Sequence, residues 1–351
     1  MIEIREIEDK KVWEDFLLGQ EWTPFLQSWN SGVHFASLGD KIWRLGIFDG
    51  RDLAGICFVS RVEAKRGWYL YCPYGPVLRS WKSDLFGPLA LFLEDLGKRE
   101  GCVFIKMSPY VEDSPENRGV LEKSAYRRAP LHVLSESSWI LDLGVARNGS
   151  GDGRLAPTES DGLLRDMRKT HRNLIRRAEK EGVVITQSRD PKDLDIFWRL
   201  YEETGKRHRF VLYPKKFVYN QFEAYVKEAQ SEIFLASVGG TVLSAAMVMY
   251  YGNEGAYHHG ASLPSKIPCS YLLQWHAIQE AQRRGKKYYN FWGIYPGNNT
   301  KHPFWGITQF KKGFGGHLRQ LLPCHDRPLS WKYAFNWTVE RFRRWRRGFS
   351  E

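Results

Sequence analysis

The sequence predicts a mixed α/β protein in which one layered unit, a mixed sheet with helices packed on it, is written twice. Two observations carry this. A hairpin, a third strand, a helix and a last strand occur in the same order in both halves. The hairpin turns Asp49-Gly50 and Gly239-Gly240 mark corresponding points of the two runs. Similarity between the halves is weak, so element order bears the inference.

In the first half "IWRLGIF" reads as a strand, "DGRD" turns it and "LAGICFVSRV" returns. "GWYLYCP" is a third strand. "DLFGPLALFLEDLGKREG" has helical spacing and a glycine stop, and "CVFIKMSP" is again a strand. The second half runs "EIFLASV", then "TVLSAAMVMYY", then "GAYHHGASL" as strands. "SYLLQWHAIQEAQRRG" is its helix and "KKYYNFWGI" its last strand. Between the halves lies "GVARNGSGDGRLAPTESDG", rich in Gly, Ser, Asp and Pro and read as a linker or loop. The expected organisation is a first unit over 1–143, a linker over 144–162 and a second unit over 163–316. A basic and aromatic segment, 317–351, then returns to the first unit.

A chain of 351 residues fits about two domains. Fifty-two Lys and Arg stand against 40 Asp and Glu, and a net charge of +12 favours an anionic partner. The five cysteines are dispersed, with no CxxC, which argues against zinc and against a disulfide framework. A reducing cytoplasm fits. The charged start "MIEIREIEDKKVW" does not read as a signal peptide, and no apolar run approaches the length of a spanning helix.

Three stretches concentrate positive charge. "LLRDMRKTHRNLIRRAEKEG" reads as one helix from Leu163 to Gly182. Seven bases against three acids leave little i,i+4 pairing, so its face is either simply solvated or made for phosphates. "GKRHRFVLYPKKF" is a second cluster, read as a phosphate-contacting loop or as a surface loop with buried aromatics. "RFRRWRRG" ends an amphipathic helix whose Trp, Phe and Arg suit either an anionic membrane surface or simple docking. In "AYHHGAS", neighbouring His258 and His259 should point to opposite faces of a strand, so no shared metal is expected.

GxSxG, HExxH and P-loop patterns are absent. A strand-helix unit of this kind could serve an acyl-CoA N-acyltransferase, but that chemistry wants a glycine-rich turn before the helix to cradle a pyrophosphate. Here that segment is "SLPSKIPCS", with two prolines and no glycine.

The run from "AYHHGASLPSKIPCSYLLQWHAIQEAQRRGKKYYNFWGI" to "HPFWGITQFKKGFGG" resembles the Fem family of peptidoglycan-bridge aminoacyltransferases. "FLQSWNSGVHFASLG", "YGPV" and "MRKTHRNLIRRAEKEGV" agree with it in the family's order, over most of the chain. The resemblance implies a tandem pair of acetyltransferase-like (GNAT-like) units. It implies transfer of an amino acid from aminoacyl-tRNA to an amine on the stem peptide of a peptidoglycan precursor. The family's long helical arm has no counterpart here, so the short FemX type fits. Lys311 matches the family's functionally important lysine in "FKK", with Phe310 beside it.

These two are the expected catalytic residues. Tyr257, His259, Asn290, Tyr213 and Tyr74 are the expected substrate-binding residues. Arg168, Lys169, Arg172, Arg176 and Arg177 are expected to hold tRNA phosphate. No metal, cofactor or assignable general base is expected, and the chain should be a monomer. Members using a UDP-linked muramyl pentapeptide hold its diphosphate with a first-half lysine that "SGVHFASLG" lacks, and carry an acid where this chain has Ser108. Both departures favour a lipid-linked acceptor, with the terminal segment meeting an anionic membrane surface. An acyl-CoA N-acyltransferase and a tRNA-dependent enzyme acting on a small peptide remain alternatives.

Overall fold

The computed structural model describes residues 2–144, 157–208 and 211–346. Most of the expected linker lies outside the described residues, as do Arg209 and Phe210 of the second basic cluster and Arg347 and Gly348 of the terminal one.

One unit comprises Met1–Glu136 and Gln320–Glu351, the other Ser137–Arg319. The first begins with β1 (Ile2–Glu6), α1 (Lys10–Leu18), α2 (Trp29–Ser37), β2 (Lys41–Asp49), β3 (Asp52–Val62), β4 (Tyr69–Tyr74) and β5 (Val77–Leu78). It continues with α3 (Ser83–Arg99), β6 (Phe104–Pro109), α4 (Pro115–Lys123) and β7 (Arg127–Arg128). The second holds β8 (Ser137–Asp142), α5 (Pro157–Asp166), α6 (Lys169–Lys180), β9 (Val184–Ser188), α7 (Pro191–His208), α8 (Lys215–Val226) and β10 (Ser231–Val238). Then come β11 (Thr241–Tyr251), β12 (Glu254–Ser262), α9 (Cys269–Arg283), β13 (Tyr288–Gly293), α10 (Trp305–Lys312) and β14 (His317–Gln320). The chain returns to the first unit with β15 (His325–Pro328) and α11 (Tyr333–Arg346).

Each unit is built on one mixed sheet, in the orders β1-β2-β3-β4-β6-β15-β7 and β14-β8-β13-β12-β11-β10-β9. The run β2-β3-β4-α3-β6 repeats as β10-β11-β12-α9-β13, with a parallel pair after each helical crossover. The helices form where apolar residues recur at helical spacing. Leu85, Phe86, Leu89, Leu93 and Leu96 of α3 are buried, as are Leu272, Leu273, Ile278 and Ala281 of α9. Gly101 and Gly285 follow these helices at positive φ, as left-handed stops.

The strand Ser137–Asp142, counted with the first unit on sequence, instead pairs antiparallel with β13 in the second sheet. His317–Gln320, counted with the terminal segment, also joins the second sheet. In the first sheet the place beside β6 is taken by β15. A buried ionic group holds it there. Lys106 of β6 meets Asp326 at 2.9 Å and Glu340 of α11 at 3.7 Å, and the Tyr333 hydroxyl donates to Asp326 at 2.9 Å. The five cysteines are free and buried. No described helix is long and apolar enough to cross a membrane.

Candidate active site in the second unit

The two sheets differ at their parallel pairs. In the first, β4 and β6 pair along all six residues, from Tyr69 with Phe104 to Tyr74 with Pro109. In the second, β12 and β13 pair only at Glu254–Ala256 with Tyr288–Asn290. Past Ala256 and Asn290 the strands part. Both strands bulge where they part. His258 is an extra residue in β12 opposite Met247 and Val248. In β13 the register slips between Asn290 and Gly293, and Trp292 takes a φ of 66°. The two bulges meet: the His258 ring lies edge-on to Trp292 at 4.8 Å.

Lys311 stands at the end of this wedge. It is the last but one residue of α10 and 7% exposed. Its Nζ donates to the Gly293 carbonyl at 2.6 Å. Burial alone pulls its amine from the ordinary lysine range down to about 7. An ammonium at this position has lost much of its hydration and carries its full attraction for an anion or oxyanion.

The rest of "FKKGFGG" fixes that lysine. His171 of α6 donates through Nε2 to the Phe310 carbonyl at 2.9 Å. Its ring lies so close over Gly313 that no side chain fits there. Gly315 and Gly316 adopt φ of 90° and 94°, and a Cβ on Gly316 would strike the Ile140 carbonyl of β8. Trp139 Nε1 donates to the Gly315 carbonyl at 2.7 Å. Phe310 itself is packed rather than presented: its ring lies 5.1 Å from Tyr271 and 5.3 Å from Phe314. Lys312 lies 5.1 Å over the Trp139 ring.

Most of the expected substrate-binding residues gather near the wedge. Asn290 is buried, donates to Glu254 Oε2 at 3.2 Å, and accepts from the Trp292 amide at 2.8 Å. It therefore shapes the bulge. His259 is buried, its ring 5.6 Å from Tyr201 and 5.7 Å from Tyr213. Burial raises the Tyr213 hydroxyl pKa, and pushes that of Tyr257 up to about 12. Tyr257 folds back over Gly260, where a Cβ would collide with it. Tyr74 lies in the first unit, buried, with its hydroxyl donating to the Ser135 carbonyl at 3.0 Å. His258 and His259 do not face opposite ways: their rings are 4.1 Å apart, because the bulge breaks the alternation. No group of three or more His, Cys, Asp or Glu among the described residues could hold a metal.

The basic helix expected over 163–182 is two helices, α5 and α6, broken at Met167 and Arg168. Arg168 is extended there; its amide donates to the Gly313 carbonyl at 2.9 Å, and its guanidinium to Gln309 at 3.0 Å. Arg172 is turned inward on the break. Its Nη1 donates to the carbonyls of Leu164, Arg165 and Met167 at 3.1, 2.7 and 2.8 Å, which closes the end of α5. Arg177 pairs with Glu181 at 2.8 Å and also reaches the Lys266 carbonyl. Lys169 and Arg176 are exposed on α6. Trp292 and His171 are residues that sequence reasoning did not single out; of the adjacent histidines it placed His259 in the site and left His258 out of it.

The fold and this wedge define a tandem acetyltransferase-like protein. A family model described as an acetyltransferase (GNAT) domain matches residues 165–312. The aminoacyltransferase FemB of Staphylococcus epidermidis (strain ATCC 35984) is 22% identical over 393 aligned residues, covering 87% of this chain and 90% of that protein. The aminoacyltransferase FemA of Staphylococcus aureus (strain bovine RF122) is 18% identical, over 80% of this chain and 84% of its own. The crystal structure of FemX superposes with a TM-score of 0.81 at 16% identity, covering 96% of this chain and 100% of that one. Over most of its length the chain is similar to these Fem aminoacyltransferases, and it shares the fold of FemX.

Proposed function

We propose that this protein moves an amino acid from aminoacyl-tRNA to an amine of a peptidoglycan precursor stem peptide, with a lipid-linked precursor favoured over the UDP-linked one. Its Fem relatives, named aminoacyltransferases, support the aminoacyl-transfer part. The observation that carries the reading is Lys311, buried at the open end of β12 and β13 and bonded to the Gly293 carbonyl. An aminoacyl ester is already activated. A neutral amine attacks the carbonyl, negative charge develops on its oxygen, and the ribose hydroxyl of the tRNA leaves. Lys311 can meet that charge, or the terminal tRNA phosphate, without a covalent intermediate.

The GNAT-domain match favours a second reading, acyl-CoA-dependent N-acyl transfer. The start of α9 opposes it. The amide of Cys269 is spent on the Ile267 carbonyl at 2.9 Å and that of Tyr271 on Pro268 at 3.1 Å. That leaves a poor cradle for a pyrophosphate.

Single-turnover transfer tests the choice. Bulk tRNA charged with labelled Gly, Ala or Ser is mixed with the protein and with either lipid-linked or UDP-linked muramyl pentapeptide. Label should appear in the lipid-linked precursor, and Lys311→Ala should slow it by about 10²–10³-fold, the usual cost of one oxyanion donor. Charged tRNA that neither binds nor transfers, alongside acylation from acyl-CoA, would replace this reading with the second.

A further inference from the structure

We propose that the outer face of α11, with the turn before it, is a docking surface for an anionic lipid bilayer. The inference stands on the first unit alone and does not rest on the transfer reading. Large apolar side chains normally leave water when a domain folds, yet Trp331, Phe335 and Phe342 are 84%, 64% and 56% exposed. Their spacing, four and then seven residues, places them on one side of the helix. The opposite side is committed to the unit. Tyr333 donates to Asp326, and Asn336 accepts from Arg66 Nε at 2.9 Å and donates to its carbonyl at 3.2 Å.

The charges are sorted in the same way. Glu340 is the one acid between Leu329 and Arg346, and it points inward at Lys106. Lys332, Arg341 and Arg343 are exposed around the aromatic side chains. A groove of about 600 Å³, lined in part by Arg127, Ser330, Trp331 and Trp337, runs alongside. Aromatic side chains bordered by cations, with no acid facing out, match a headgroup layer over acyl chains. The cationic face of α6 shows the contrast: Lys169 and Arg176 stand exposed there, while its buried side chains, such as Ile175, face the core. That is the pattern suited to phosphates without an apolar phase.

The full chain is sedimented with vesicles of phosphatidylglycerol and phosphatidylcholine, and with phosphatidylcholine alone. Binding to the anionic vesicles is expected. Trp331→Ser/Phe335→Ser/Phe342→Ser should weaken it about tenfold or more. Arg341→Glu/Arg343→Glu should weaken it at least about fivefold per residue at low salt. Thermal melts identify variants that remain folded, and if the triple variant unfolds, Phe342→Ser and the arginine pair decide the matter. Unchanged binding by folded variants would overturn the proposal. So would wild-type protein that ignores anionic vesicles. A loss of tRNA affinity in the triple variant, without vesicle binding, would reassign the surface to nucleic acid. Since no substrate is present, the result is independent of whether aminoacyl transfer is observed.

Discussion

Lys311 shows what burial does to a single group. Its amine donates to the Gly293 carbonyl, and the cause of its depressed pKa is desolvation. The unfolded chain releases this proton near 10.5 and the folded chain near 7. Between these values the unfolded state binds more protons, so stability rises with pH across that window. Below about pH 7 both states are charged and the cost of the buried ammonium is complete, roughly 1.4 kcal/mol per unit of depression. Lys311→Met should therefore raise the unfolding free energy by several kcal/mol at about pH 6, and by much less near about pH 10. Urea unfolding at the two pH values measures it. A gain of the same size at both would mean that the lysine is not held near neutrality. A protein that keeps a destabilising residue in its fold gains something else from it, here a cation poised beside the wedge.

At the scale of elements, what decides the site is how helices and strands end. Arg172 was expected to meet tRNA, but its guanidinium spans three carbonyls at the end of α5. Arg172→Ala should lower stability by about 1–3 kcal/mol, as for other charge-assisted hydrogen bonds, read as a fall in the thermal midpoint. Its effect on tRNA affinity should be small beside that of Arg176→Ala. The regular elements of the repeated core were legible in the sequence. β11 matches "TVLSAAMVMYY" at both ends, and α9 begins within one residue of its expected start, because strong periodicity and glycine stops fix them. The irregularities were not legible. The bulges at His258 and Trp292 fall on residues that do not themselves signal a bulge, and the glycines nearby, Gly260 and Gly293, do not fix their place. The break before α6 has no Pro or Gly either; it follows from the bond between Arg168 and Gly313, two residues far apart in the chain. β8 is not read as a strand from the sequence but only counted within the first unit, and periodicity does not say which sheet accepts it. "FKKGFGG" stood out as a motif, and its glycines are explained only once His171 and Ile140 lie against them.

At the scale of the whole molecule, the positive charge is unevenly divided. Ser137–Arg319 carries 27 Lys and Arg against 17 Asp and Glu, a net +10 of the +12. The first unit carries 25 against 23, and its terminal stretch from Gln320 holds seven of those bases and three of the acids. Without that stretch the first unit would be net negative. A polyanion in solution should thus be drawn to the second unit, where the exposed Lys169 and Arg176 lie on α6. Each phosphate contact releases condensed counterions, so the salt dependence of affinity counts such contacts. The slope of log affinity for tRNA against log salt should be steeply negative. It should become shallower by about one unit for each of Lys169→Ala and Arg176→Ala. Arg51→Ala and Lys65→Ala, exposed in the first unit, should leave it unchanged. Filter binding over a salt series reads all four. A slope that falls equally for both pairs would show that tRNA senses only net charge. A slope that falls for the α6 pair alone would make that helix the contact surface.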